Sequence, residues 1–551
     1  MQRIRMMGAA FSAILAAAAL WAGDWPGWRG PNRDGVAPQS PPLVDEFPKD
    51  GPKKVWESEA IPGGHNGGFA QPTVAEGKIF VFYNCRFEKP IETRILRRGE
   101  LTELGWMPGV PDDLAKAMED ARASEARAAL KDNNAIGAWA DAWIKDNLKS
   151  DQRKFQYVVK KRLTLGAQAL PLETLAKLEP IADKEFAGQG ELDAWLKQHD
   201  IDPAAQKPIM ARIPTKVNAC NDVLFCLDRE KGQTQWKQEL TGNWMWYAAS
   251  STPAVSGGRL WFLGSGAVAH CLNTADGSVV WQSKPLGAAQ HSHNRSSSPL
   301  LVDNRLIVGS DTATWALDPA TGQTLWKATD EKGNAIVNKE ASAVTCTVAG
   351  KPLILYSSAS DKPLTAPDCG KIFALDPETG KAAWSVPAGL TGSTSAVAGD
   401  AFAFMSWTPE VGVTAYRLTT PQPTKLWSVP IKEGYSSPIV WQGFVYAVGG
   451  ANATFGDNGK GRALCIEVAT GRVAWNELIG PGLELSSPVL ADGKLLFSAG
   501  GWLYLVKASP AKYELLGKAN LGLAPYASPA FADGFLFVRT NKNVVCYDLR
   551  K

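Results

Sequence analysis

Three of the chain's five histidines sit in loops where side chains could do chemistry. His65 lies in PGGHNGGFA (62–70), and His291, His293 and Arg295 share GAAQHSHNRSS (287–297). Trp244, Trp246 and Tyr247 crowd GNWMWYAAS (242–250), and Glu340 follows Lys339 in NKEAS (338–342). Two imidazoles two residues apart could supply half a zinc or copper site. Such sites need three or four ligands, and the spacing names no further partner, so no metal is assigned. Lys339 and Glu340 read better as an ion pair than as an acid and a base. GGANATFGDNGKG (449–461) has the amide and acidic content of a calcium loop without its ligand spacing. No Ser, His and Asp set in a nucleophile context and no phosphate-binding glycine loop occurs. The aromatic residues can stack a planar ligand or simply pack against other parts of the chain. The eight residues His65, Trp244, Trp246, Tyr247, His291, His293, Arg295 and Glu340 are therefore candidate ligand-binding residues, and none is assigned as catalytic.

Eight cysteines include no C-x-x-C, no C-x-x-C-H and no adjacent pair, which argues against metal-thiolate and haem sites. Cys226, Cys271, Cys465 and Cys546 fill a slot that holds Ala316 and Ala374 elsewhere, and read as free packing residues. Cys85 and Cys220 stand at the two necks of an inserted segment, where a disulfide between them is expected.

These residues must be positioned by the elements around them, and those elements repeat. ATWALDPATGQTLWKAT (313–329) reads as a hairpin, with Asp318 and Pro319 starting the turn and Gly322 ending it at positive φ. Close variants begin at Cys226, Cys271, Ala374 and Cys465, and a weaker copy without the glycine runs from Tyr416. Each follows another hairpin of the form S-P-x-V, such as SSPLLVDNRLIVGS (297–310). Trp236, Trp281, Trp326, Trp384, Trp427 and Trp475 recur at the roughly 40–50 residue period of a four-stranded propeller blade. One such sheet cannot bury both faces, so the copies must stack. PKKVWESEA (52–60) carries Trp56 in the repeat's Trp slot, and the C-terminal copy supplies three strands. Pairing 53–60 with that copy closes the ring and removes exposed edges.

The expected architecture is thus all-β: an eight-bladed propeller of four-stranded antiparallel blades over 52–85 and 220–551. Seven blades is the alternative, because Leu516 falls near the Trp slot of a degenerate copy at 485–522. Residues 86–219 switch to period-3.6 spacing, in runs 112–131, 135–148, 172–186 and 191–199, and form a helical insertion in the first blade. Residues 23–51 are expected to strap over the propeller surface. Blade-joining loops open on one rim, the D-P-x-T-G turns on the other, and the candidate residues all fall on the first rim with the insert.

Residues 1–22 have a basic start, an apolar run and small residues at the end, the pattern of a signal peptide cut after Ala22, with Ala19 as the alternative. The protein is therefore expected in the periplasm or the medium. No later segment approaches 18 unbroken apolar residues, and no cysteine follows the leader, so neither a membrane span nor a lipid anchor is expected. A net charge of +3 on 551 residues gives no electrostatic footprint for nucleic acid.

The A-L-D-x-x-T-G-x-x-x-W hairpins and S-S-P strands resemble the pyrroloquinoline-quinone-like (PQQ-like) β-propeller repeat family, as does the opening Trp25–Gly35 with its W-P-G-W-R-G-P-N-R-D-G. The resemblance implies the propeller fold and two kinds of function. One is quinone-dependent oxidation of an alcohol or sugar, with the cofactor under a disulfide of adjacent cysteines beside calcium. The other is non-catalytic binding, as in the lipoprotein of the outer-membrane assembly machinery. This sequence lacks the adjacent cysteines of the first and the lipid-modified cysteine of the second. The expected function is a monomeric, non-catalytic binding or scaffold protein that takes a protein, an envelope component or a small ligand through the insert-bearing face. No cofactor is expected, and PQQ with calcium is the alternative.

Overall fold

The computed structural model describes residues 23–106, 108–287, 297–337, 340–359, 368–408, 410–431, 435–450, 460–481 and 486–551. The expected leader (1–22), and with it the cleavage assignment, lies outside the described residues, as do His291, His293 and Arg295. The chain divides into two compact units. One holds the residues up to Arg86 together with Ala219–Lys551, and the other is Phe87–Asn218.

The first unit is a propeller of eight four-stranded antiparallel sheets. Blade 1 takes its strands from Thr73–Ala75, Lys78–Pro90, Lys216–Asp228 and Thr234–Thr241. Blades 2 to 7 follow in chain order over 254–282, 300–327, 344–387, 396–429, 439–481 and 489–520. Blade 8 joins Ala530–Ala532, Phe535–Arg539 and Asn543–Asp548 to Lys53–Ala60, with Trp56 opposite Cys546 and Glu57 opposite Val545. The copy at 485–522 forms all four strands despite its missing tryptophan, which settles the count at eight.

Three devices make neighbouring sheets stack, and each explains a repeated residue type. The outer-strand tryptophans donate their indole N–H to a carbonyl in the next blade's turn: Trp56 to Arg229 O (3.0 Å), Trp236 to Thr274 O (3.1 Å), Trp281 to Pro319 O (3.0 Å), Trp326 to Pro377 O (3.0 Å). The turn glycine lies beneath that ring: a Cβ on Gly322, already at φ +73°, would overlap Trp281. The slot opposite each tryptophan must be small, hence Cys226 facing Trp236, Cys271 facing Trp281 and Ala316 facing Trp326.

Around the axis, the second residue of each S-S-P-type motif accepts the backbone N–H of its counterpart in the preceding blade. The links described are Gln71 to Thr252, Thr252 to Ser298, Ser298 to Ser342, Thr394 to Ser437, Ser437 to Ser487 and Ser487 to Ser528, at 2.9–3.0 Å. The preceding serine caps the second strand of its own blade, as where Leu263 N donates to Ser251 Oγ (3.0 Å) and Ser498 N to Ser486 Oγ (2.8 Å). The small hydroxyl residues thus complete backbone groups that converging strands leave unpaired, besides avoiding collision.

Residues 23–35 do not strap over the surface. Trp25, Arg29 and Arg33 are buried, and Arg33 donates to Ala343 O (2.8 Å), Pro299 O (2.7 Å) and Ser298 O (3.1 Å). Arg29 donates to Pro438 O and Asp34 O, both at 2.6 Å. One short segment can reach the innermost strands of blades 3, 4 and 6 only from the central channel, which it plugs. Burial pushes the Arg29 guanidinium down to about 10 and that of Arg33 to about 9, so both stay charged at neutral pH.

The expected Cys85–Cys220 disulfide is not formed, and both thiols are free. Side chains alternate along a strand. Cys85 packs with Tyr83 on one face of the blade, whereas Cys220 lies on the other, where Asn84 Nδ2 donates to its Sγ at 2.8 Å. Thiols on opposite faces cannot be bridged.

The second unit is helical, with its own apolar cores around Leu175, Leu178 and Leu192 and around Met118, Val159 and Leu163. The expected run 112–131 breaks into Asp112–Arg122 and Glu125–Ala129, because the hydroxyl of Ser124 caps the second helix at Arg127 N (3.2 Å). The run 172–186 stops as α-helix at Leu178, ahead of Pro180. Arg98–Glu103, Gln156–Leu165 and Pro203–Met210 add helices not expected from periodicity. Within this unit the fully buried Arg162 pairs with Glu119.

Candidate functional site

Where the blade-joining loops of the propeller converge, they leave a cavity of about 310 Å³. Its lining combines six rings (Trp28, His65, Phe69, Tyr247, Tyr435 and Tyr526) with the carboxylate of Glu340, the hydroxyls of Ser250, Ser298, Ser342 and Thr394, and Gly392. Ser298, Ser342 and Thr394 belong to the hydrogen-bonded ring around the axis, so the cavity is axial. Trp28 reaches it from the plug, with its indole N–H donated to Thr394 Oγ1 at 2.8 Å. The plug therefore makes a blind pocket of what would otherwise be a through-channel.

The rings form a connected belt. His65 meets Phe69 edge to face at 5.3 Å, Phe69 meets Tyr526 at 5.5 Å, and Tyr526 meets Tyr435 at 5.8 Å. Tyr247 lies 6.2 Å from His65, and Trp407 continues the belt 5.1 Å from Tyr435. Edge-to-face contacts of this kind hold rings in fixed orientations.

Two arginines, one buried and one partly exposed, fix the loops that carry them. Arg539, fully buried, donates to Phe82 O (3.0 Å) and Pro62 O (2.5 Å), anchoring the His65 loop. Arg86 clips that loop to the next, donating to His65 O and to Trp246 O (2.8 Å). Phe69 N donates to Ser250 Oγ at 2.8 Å. The glycines of PGGHNGGFA serve close approach: a Cβ on Gly68, at φ +103°, would overlap Ala249 O. Gly392 keeps one wall open, since a Cβ there would lie 3.0 Å from the Tyr435 ring and 3.5 Å from Glu340 Cβ.

Of the residues expected from sequence, His65, Tyr247 and Glu340 come together in this pocket. Trp244 and Trp246 do not line it. They pair edge to face at 5.4 Å, and Trp246 is 72% exposed. Sequence reasoning missed Trp28, Phe69, Tyr435, Tyr526, Gly392 and the ring hydroxyls. A signal existed for the hydroxyls, in the repeated S-S-P, and for Trp28, in the dense Trp25–Gly35 motif. The remaining two histidines lie elsewhere: His199 stacks on Trp195 at 4.0 Å, and buried His270 stacks on Phe262 at 4.7 Å. Among the described residues no group of three or more His, Cys, Asp or Glu is placed to hold a metal ion.

Fold and pocket define the class as an eight-bladed β-propeller with a plugged axis. Residues 221–477 match the family described as outer membrane protein assembly factor BamB and carry the repeat of that PQQ-like family. Similar solved structures include BamB from Moraxella catarrhalis, at 14% identity over 60% of this chain and 90% of that one, with a TM-score of 0.44. Another is the quinohemoprotein alcohol dehydrogenase from Comamonas testosteroni, at 14% identity over 60% and 73% of the two chains, with a TM-score of 0.44. Neither likeness carries a function to this chain. No curated protein matches it. No helix among the described residues is long and apolar enough to cross a membrane.

Proposed function

We propose that this is an exported, non-catalytic binding propeller that holds a small organic ligand in its axial pocket. The observation that carries the reading is the blind pocket itself: aromatic walls, a hydroxyl collar, one carboxylate and a floor supplied by a dedicated N-terminal segment. Preformed concave sites of this composition favour ligands with flat apolar faces and a few polar groups.

A bound quinone with calcium would need a matching donor set. The described lining offers one carboxylate, Glu340, and no lysine or arginine, and the sequence has no adjacent cysteines to cover a cofactor. A quinone bearing several carboxylates would meet a like charge, and calcium calls for six to eight oxygen ligands, several of them carboxylate. These residues do not fit that pair, which supports the binding reading over the oxidoreductase reading.

The test adds the quinone and calcium chloride to the purified protein, then measures quinone retention after gel filtration and dye-linked oxidation of ethanol and of glucose. No retained quinone and no oxidation above the protein-free rate is expected. Stoichiometric retention with turnover would overturn the proposal.

A further inference from the structure

Where the described chain begins, three carboxylates gather around the start of the plug. Asp24 is only 8% exposed, and its Oδ1 has no hydrogen-bond partner among the described residues. Its Oδ2 accepts only a long bond, 3.4 Å, from Glu76 N. Asp533 lies directly against Gly23: a Cβ on that glycine, at φ +97°, would overlap Asp533 Oδ1. Glu76 is committed elsewhere, to Gly258 N (2.9 Å) and Thr274 Oγ1 (2.6 Å). Arg229, the cation that favours the charged form of Asp24, is itself taken by Asp533 Oδ2 at 2.6 Å. Burial and the two neighbouring carboxylates raise the Asp24 pKa above the usual carboxylate range. A buried carboxylate oxygen with no donor costs free energy until a donor arrives, so the site is short of a hydrogen-bond donor at Asp24 Oδ1.

We propose that the chain is processed at the Ala22–Gly23 peptide bond and that the α-ammonium freed on Gly23 is held by Asp24 and Asp533, completing the plug's packing. The inference rests on the exported reading above. The step is hydrolysis by a leader peptidase: water adds across the amide, Ala22 leaves with a new carboxylate, and Gly23 keeps a new ammonium. Before cleavage the Gly23 nitrogen is an uncharged amide and can supply only one N–H. After cleavage it carries three donors and a full positive charge. Cleavage after Ala19 would leave an amide at Gly23 and put Leu20, Trp21 and Ala22 ahead of the acidic site. A glycine at this position lets the carboxylate approach the chain end more closely than any side chain would permit. Removal of the leader and locking of the plug would then be one event.

The full-length precursor is expressed with its own leader in a bacterial host, and the envelope fraction is purified. Intact mass is expected to give a chain starting at Gly23. Acetylation of the Gly23 amine by a limiting active ester at neutral pH should run at least about tenfold slower than in the urea-unfolded protein, since one decade reflects a modest burial or pairing energy. Asp533→Asn should restore a fast rate, and Asp24→Asn, which leaves the Arg229 pair intact, should do so independently. A mature start other than Gly23 overturns the inference while leaving export standing. So does a Gly23 amine that reacts equally fast in the folded wild type, the two variants and the unfolded chain. Recovery of only uncleaved chain in the cytoplasm would instead refute the exported reading.

Discussion

Gly392, Glu340 and Tyr435 show how little of the pocket a single residue announces. Each comes from a different blade-joining loop, and only closure of the ring brings them together, so no local spacing could have linked them. His65 and Tyr247 were legible because glycine-rich or aromatic loops on one rim are suspect in themselves, and Glu340 because it is a carboxylate in a loop of the same rim. Phe69, Tyr435 and Tyr526 read as ordinary apolar residues until the belt formed. The error on Cys85 and Cys220 has a similar origin: neck positions suggest proximity, but only the parity of the strand tells which face each thiol takes. His270 offers a prediction at this scale. Burial pulls its pKa from 6.5 down to about 4, so the folded protein keeps it neutral where the unfolded chain binds a proton. Its contribution to stability is therefore present above pH 6.5 and falls as pH drops from 6.5 toward 4, by on the order of 3 kcal/mol in the limit. Denaturant unfolding of His270→Gln across that window should show a shallower acid slope than wild type, and parallel slopes would contradict the burial argument.

At the scale of elements, the repeat was read from its tryptophans and turn glycines, and the structure gives both a shared purpose. The indole of one blade is hydrogen-bonded and stacked onto the turn of the next, so Trp281 and Gly322 form one joint. Gly322→Ala combines a strained positive φ with overlap on Trp281, and should cost about 2 kcal/mol or more. Thermal unfolding checks this, with the exposed Gly350→Ala, where a Cβ would meet nothing within 4 Å, as the control for φ strain alone. The plug was misread because arginines in a turn-rich segment normally face water. Here their guanidinium groups satisfy carbonyls that converging inner strands cannot pair among themselves. Arg33→Met would leave the carbonyls of Ser298, Pro299 and Ala343 without this donor in the channel. A loss of about 3 kcal/mol or more is expected from urea unfolding. An unchanged midpoint would mean that the plug is not a structural tie. In the helical unit, periodicity found the apolar faces but not the breaks, which Ser124 and Pro180 impose through capping and through the missing N–H of proline.

For the whole molecule, ring closure was legible from the two incomplete ends, Trp56 in an orphan strand and three strands before Lys551. What closure creates was not legible, since the channel, the plug and the pocket exist only once all eight blades are in place. Function belongs to this scale: the scaffold is shared by binding proteins and enzymes, and the chemistry of the axial site must choose between them. The most direct measurement is native mass spectrometry of the protein purified from its own cell envelope, wild type beside Gly392→Val, whose added side chain presses on Tyr435 and Glu340. Wild type should carry a stoichiometric small-molecule adduct that is not the quinone, and the folded variant should lack it. Identical bare masses for both proteins, or an adduct equal in mass to the quinone, would contradict the account.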